Sequence, residues 1–311
     1  MPSLRFAESR LLDRLSNACK RKIIKDNGMD EQKPNGAADG DNRAPGQSAG
    51  GQPREAALSA AAIAARRGRE WSLRVVGASD VTPHMRRVQL TGDALDEFTP
   101  RPGQELVLHL RQGEGEPARR HYTIRRFDPM TKLIDLDFVL HGHATPGVSW
   151  ALAARPGDQL LVNGPRGRIA IAPDADWHLF TGDETALPAI FALAEALPAN
   201  ARAFIFLEIG GNDDKQKLDA KARMALEWLP RGSTPPGPSS IVADALAAFP
   251  LPVGKGHAYI LGETSNVRAQ RHALLARGMA REQIYAEGYW RPGRIGGHDH
   301  IRDDEDSANK R

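Results

Sequence analysis

The chain has one cysteine, Cys19, in 311 residues. A lone thiolate forms no intrachain disulfide, and it builds neither a cysteine-ligated iron–sulfur cluster nor a cysteine-rich zinc site. No run of 18 or more apolar residues occurs, so no transmembrane helix is expected. Net charge of one sign is scarce, at +3, which argues against nucleic-acid binding because that needs a concentrated basic face. The Gly-x-Gly-x-x-Gly dinucleotide fingerprint is absent. The N-terminus has basic residues but no continuous apolar core and no cleavage site, so it is not read as a secretory signal. Cytoplasm is the expected compartment.

What is present divides into unlike stretches. Residues 4–24 place Leu4, Leu11, Leu12, Leu15, Ala18 and Ile23 at roughly helical spacing among Arg and Lys. That pattern suits a membrane-surface or partner helix, but we read it as a loosely structured extension. Residues 27–56 are rich in Gly, Pro, Asn, Asp and Gln and offer almost nothing to bury, so they read as a disordered linker. Residues 56–68 read as a short helix ending at Gly68. From Trp71 the pattern becomes short alternating strands closed by turn residues, and "QELVLHL" sets Leu106, Leu108 and Leu110 on one face with His109 on the other. One helix of about two turns, within "TPGVSWALAARPGD", interrupts the strands and stops at Pro156-Gly157. This spacing predicts a small antiparallel β-barrel.

Near Trp177 the rhythm changes to strand, helix, strand. "WHLFTG", "AFIFLEI", "HAYILGE" and "QIYAEGYW" read as strands. "DETALPAIFALAEALP" reads as a helix with acids in its first turn, "SSIVADALAAF" as a helix with a serine N-cap, and Thr264 or Ser265 to Gly278 as a third helix. Alternation of this kind predicts an open parallel sheet, with ligands beyond the carboxyl ends of its strands. The expected organisation is therefore an extension and linker over 1–69, a barrel over 70–173, an α/β domain over 174–294 and a disordered tail over 295–311. His298 and His300 are read with the tail and not as a metal site.

A barrel followed by a nucleotide-type sheet suits electron transfer, with a flavin on one part and a nicotinamide presented by the other. In "RRHYTIRRFDP", Arg120 is the candidate partner for a diphosphate. Tyr122, two residues on along the strand, can lie against a flavin ring. Thr123 can hydrogen-bond a ring or ribityl heteroatom, and Ile124 follows it. The helix opened by Thr145, Pro146, Gly147, Val148 and Ser149 offers unpaired backbone N–H groups of the kind that bind phosphate.

Taken in order, "RRHYTIRRFDP", "LIDLDFVLHG", "SWALAARPGDQLLVNGPRG", "TGDETALPAI", "LGETSNVRAQR" and "GYWRPG" resemble the siderophore-interacting protein family over about residues 70–294. These are FAD-dependent ferric-siderophore reductases of the ferredoxin-reductase-like superfamily. The resemblance implies an antiparallel Greek-key FAD-binding barrel followed by a parallel-sheet α/β domain of NAD(P)H-binding type. It implies FAD held by Arg120, Tyr122 and Thr123, with His141 and the Gly147–Ser149 turn near its ribityl and phosphate parts. Asp183, Glu184 and Thr185 would sit where the two domains meet the flavin, and Tyr289, Trp290 and Arg291 would pack beside it. The turn "HGHATPGVSW" is one residue longer than the family's usual His-Gly-x-Gly-Pro-Ala-Ser-x-Trp.

Ferric siderophores of catecholate or carboxylate type are often anionic, so a basic rim would concentrate and orient them. Arg125, Arg126, Arg268, Arg271 and Arg291 are the candidates, with Arg268 and Arg271 alternatively meeting an NADPH phosphate. NADH, NADPH or a reduced ferredoxin could feed the flavin. The chemistry needs no side-chain acid, base or nucleophile, because the cofactor carries it. The rival readings are a general flavin or ferredoxin–NADP reductase-like electron carrier and a non-enzymatic siderophore-binding protein. A monomer is expected, with no nucleic acid and no firm membrane association.

Overall fold

A computed structural model describes residues 68–111, 115–142 and 144–294, with the backbone of Asp299–His300. The stretch 4–24, the linker and nearly all of the expected 56–68 helix lie outside the described residues.

Six antiparallel strands close into a barrel in the order β1-β2-β5-β4-β3-β6. They are β1 (Arg69–Thr82), β2 (Met85–Thr91), β3 (Glu105–Leu110), β4 (Ala118–Asp128), β5 (Leu133–Val139) and β6 (Gln159–Arg166). Period-two alternation places Trp71, Leu73 and Val75 of β1, and Leu106, Leu108 and Leu110 of β3, in one shared core. Ile134, Leu136 and Phe138 of β5 join them. The alternate β5 residues, Asp135 and Asp137, are buried too, but under polar partners from β2. Helix α1 (Pro146–Ala153) follows β5 and packs Ala151 into the barrel core.

The second half is a sheet in the order β12-β11-β10-β7-β8-β9. Its strands are β7 (Trp177–Gly182), β8 (Arg202–Ile209), β9 (Arg223–Pro230), β10 (Gly256–Glu263) and β11 (Ile284–Trp290), all parallel, with β12 (Asp299–His300) antiparallel at the edge. β7 is buried throughout, and β8 after its first residue, as expected of strands covered on both faces. Helix α2 (Leu187–Glu195) covers one face; α3 (Ile241–Ala248) and α4 (Thr264–Ala276) cover the other. The order reverses between β7 and β10, which places a ligand crevice at their carboxyl ends. Among the described residues, no helix is long and apolar enough to cross a membrane.

Several expectations need correcting. Strand β9 was not expected: Met-Ala-Leu-Glu is a run of good helix formers, and parallel pairing along β8 overrides that preference. The acids of "GDET" are not in the first turn of α2, which begins at Leu187. The Asp183 carboxylate instead accepts from Thr185 N at 2.8 Å, closing a local turn ahead of the helix. Ser240 stands at the start of α3 but caps no amide; its hydroxyl bonds Asp244 at 3.0 Å. Asp299–His300, assigned to a disordered tail, pairs with Glu287 and Gly288 of β11.

Candidate flavin cleft

β4 positions the first wall of a large cleft. Its residues Arg120, His121, Tyr122 and Thr123 all line a cavity of about 1110 Å³ between the barrel and the carboxyl edge of the sheet. Tyr122 lies on Phe138, with ring centroids 4.1 Å apart, and Phe138 lies on Trp150 at 5.5 Å. Burial pushes the Tyr122 phenol up to about 12, against the pull of Arg120, so the ring stays neutral. The hydroxyl of Tyr122 reaches Gly147 in α1, where an added Cβ would fall 1.9 Å from it. Gly147 is therefore fixed by the tyrosine as much as by any ligand. No side chain caps the start of α1.

The second wall comes from the sheet. Glu184, Thr185, Gly210, Gly211, Arg231, Tyr289, Trp290 and Arg291 line it from the ends of β7, β8, β9 and β11. Arg231 bonds Glu184 at 2.6 Å and lies 3.9 Å from Glu208, with both glutamates buried and the arginine largely so. Burial raises both carboxyls above their ordinary range, partly offset by Ser239 at Glu208 and by Arg231 at both. Asp183 accepts from Glu263 N at 2.8 Å and from Trp290 Nε1 at 2.9 Å. Tyr289 hydrogen-bonds Thr123 across the two walls. Farther out, His84 of the β1–β2 turn meets Asp214 at 2.9 Å.

The cleft gathers Arg120, Tyr122, Thr123, His141, Thr145, Gly147, Glu184, Thr185, Tyr289, Trp290 and Arg291 from the residues expected at the cofactor and its rim. Others stand elsewhere. Ile124 and Val148 are buried, Ile124 in the barrel core, and Ser149 is exposed outside the lining. Asp183 lies behind the wall and acts on other side chains.

Of the five arginines expected at a basic rim, Arg291 alone lines the cleft. A β-bulge between Ile124 and Arg126 turns Arg125 toward α2. There it makes a bidentate pair with Glu195, both bonds 2.7 Å, and stands 5.4 Å over the Phe191 ring. Arg126 is exposed beside Asp135's strand position and lines no part of the cleft. Arg268 and Arg271 sit on α4, with Arg271 buried, and neither reaches the cleft. Arg291 stays at the rim, joined by Arg294.

Sequence reasoning missed His84, Glu105, His121, Asp137, Arg231 and Arg294, all of which line the cleft. Two left a signal. Asp137 interrupts an apolar strand, and it is held there by Arg87 at 2.7 and 2.8 Å. His121 stands beside Tyr122 and bonds Glu105 of the neighbouring strand at 2.6 Å.

Two sequence profiles cover both walls. Residues 100–169 match the siderophore-interacting FAD-binding domain, and residues 175–293 match the siderophore-interacting protein domain. The ferric vibriobactin reductase ViuB of Vibrio cholerae is 35% identical over 236 residues, spanning 69% of this chain and 86% of that protein. The chain belongs to the siderophore-interacting protein family. A siderophore utilization protein from T. fusca superposes with a TM-score of 0.69 at 32% identity, covering 75% of this chain and 96% of that one. The NADPH-dependent ferric-chelate reductase of Escherichia coli is 26% identical over 241 residues, spanning 70% of this chain and 91% of that protein. As a member of the siderophore-interacting proteins, the chain has the barrel-plus-sheet architecture expected from its sequence.

Proposed function

We propose that this protein is an FAD-dependent ferric-siderophore reductase fed by a nicotinamide nucleotide. The observation that carries the reading is the first wall: an arginine, a neutral tyrosine ring and an uncapped helix start converge on one cleft large enough for a dinucleotide. The fit is chemical as well as spatial. Arg120 bonds only a backbone carbonyl, that of Arg119, among the side-chain bonds described for it, so its charge is available to a diphosphate. The Gly147 and Val148 amides, at a helix start with no side-chain cap, would add to the hold on the same anion. Tyr122 offers an apolar plate, and Thr123 a hydroxyl beside it.

FAD, when bound, supplies the step from a two-electron donor to one-electron reduction of chelated Fe(III) to Fe(II). The chain's own residues bind, orient and tune. Tyr289 holds the Thr123 hydroxyl in one direction. Arg291 and Arg294 place positive charge at the mouth, where an anionic chelate is drawn in. The likeness to ViuB and to the ferric-chelate reductase supports iron chelates as the substrate class and NADPH or NADH as donor.

Anaerobic mixing tests the reading. The FAD-loaded protein should bleach on addition of NADPH or NADH and recover its yellow band when ferric siderophore follows. Failure to take up FAD from solution, seen as no quenching of its fluorescence, would sink it.

A further inference from the structure

We infer that Asp183 is a positioning residue for the flavin cleft: it holds Trp290 in place and does not touch the cofactor. It stands at the end of β7, beside β10, at the point where strand order reverses. In an open parallel sheet this crevice is the usual place for a ligand. Here the chain fills it with its own carboxylate.

Asp183 is buried, and its two oxygens are saturated by four donors. Oδ1 takes the backbone N–H and hydroxyl of Thr185; Oδ2 takes Glu263 N and Trp290 Nε1. A carboxylate is the one side chain that accepts on both oxygens and donates nothing. It therefore ties the end of β7 to the ends of β10 and β11. Gly262 clears the space: its φ is +124°, and an added Cβ would fall 2.7 Å from Asp183 Oδ2. Thr185 and Trp290 both line the cleft, opposite Tyr122 and Thr123. The carboxylate thus fixes the far wall against which a flavin bound on β4 must fit. The bearing on FAD rests on the proposed function; the hold on Trp290 does not.

Asp183→Asn tests this with almost no change of volume. An amide replaces one acceptor by a donor, so either Trp290 or Thr185 must face an N–H group. The readout is the indole 1H–15N spectrum of the full chain, whose five tryptophans give separate signals. Trp290→Phe assigns the Trp290 signal. Asp183→Asn should shift that signal, speed its solvent exchange, and leave the signals of Trp71 and Trp177 in place. Trp290→Phe should weaken FAD binding about tenfold, Asp183→Asn about as much, and the double variant no more than about twofold beyond either, as for two groups acting as one unit. An unmoved Trp290 signal overturns the inference, as do losses that multiply in the double variant. If Asp183→Asn does not fold, Trp290→Phe decides alone: unchanged FAD affinity overturns the inference. A wild-type protein that shows the Trp290 signal but takes up no FAD would instead overturn the proposed function.

Discussion

The two walls of the cleft treat charge in opposite ways. On the barrel side, α1 starts without a side-chain cap and Arg120 spends its guanidinium on a carbonyl. On the sheet side, several comparable features are already partnered. The start of α4 is capped by the Glu263 carboxylate, which accepts from Asn266 N at 2.9 Å. The turn before α2 is closed by Asp183, and Arg231 lies between Glu184 and Glu208. A helix start near a strand end is thus no guide to where phosphate goes. What decides is whether the chain has supplied its own anion first.

Substitutions can break this asymmetry. The largest expected effect is Arg120→Ala, which removes one charge-assisted anchor worth about 1.5–3 kcal/mol. FAD affinity should fall about 10- to 150-fold by fluorescence titration, with thermal stability of the apoprotein nearly unchanged. Next comes Gly147→Ala. Its Cβ would overlap the Tyr122 hydroxyl, and the forced shift should cost about 1–3 kcal/mol and displace the ring that lines the cleft. Calorimetry should show a lower Tm, partly restored by adding Tyr122→Phe.

Arg125→Ala sharpens the comparison from the other direction. The Arg125–Glu195 pair is mostly buried and joins the barrel to α2, so its loss should lower stability by about 2 kcal/mol. The salt dependence of chelate reduction should not change, because Arg125 is turned away from the mouth. The smallest effect belongs to Glu227 on β9, whose Oε2 is buried without a partner in the structure and whose carboxyl is raised by burial. A raised folded-state value means stability is fullest below the ordinary carboxylate range and is lost as pH rises through the folded value. Glu227→Gln should therefore raise Tm slightly at neutral pH, by about 1–2 °C. The gain should vanish as pH falls below the ordinary glutamate range; a gain independent of pH would exclude the charge as its cause.

The barrel was legible because its inward residues alternate, as Leu106, Leu108 and Leu110 do. The parallel strands were legible because runs such as "AFIFLEI" leave no polar face. The cleft-lining pattern of Arg120, Tyr122 and Gly147 follows a single strand and a single helix start, so local order conveys it. What failed depends on distant pairing. Nothing local to Arg125 announces the bulge that turns it toward Glu195, seventy positions later. Asp183 reads as a helix acid until Gly262 and Trp290 arrive from other strands. Met224 to Glu227 shows no strand pattern of its own until β8 offers its edge.

One contact across the cleft has a mechanical consequence. Near the domain junction the walls are stitched by Arg125–Glu195 and by Tyr289–Thr123. At the open side they meet through His84 and Asp214, and the histidine is 60% exposed. A polar contact that wet is worth about 0–1 kcal/mol. The molecule is therefore bound like a book, firmly along its spine and loosely at the fore-edge.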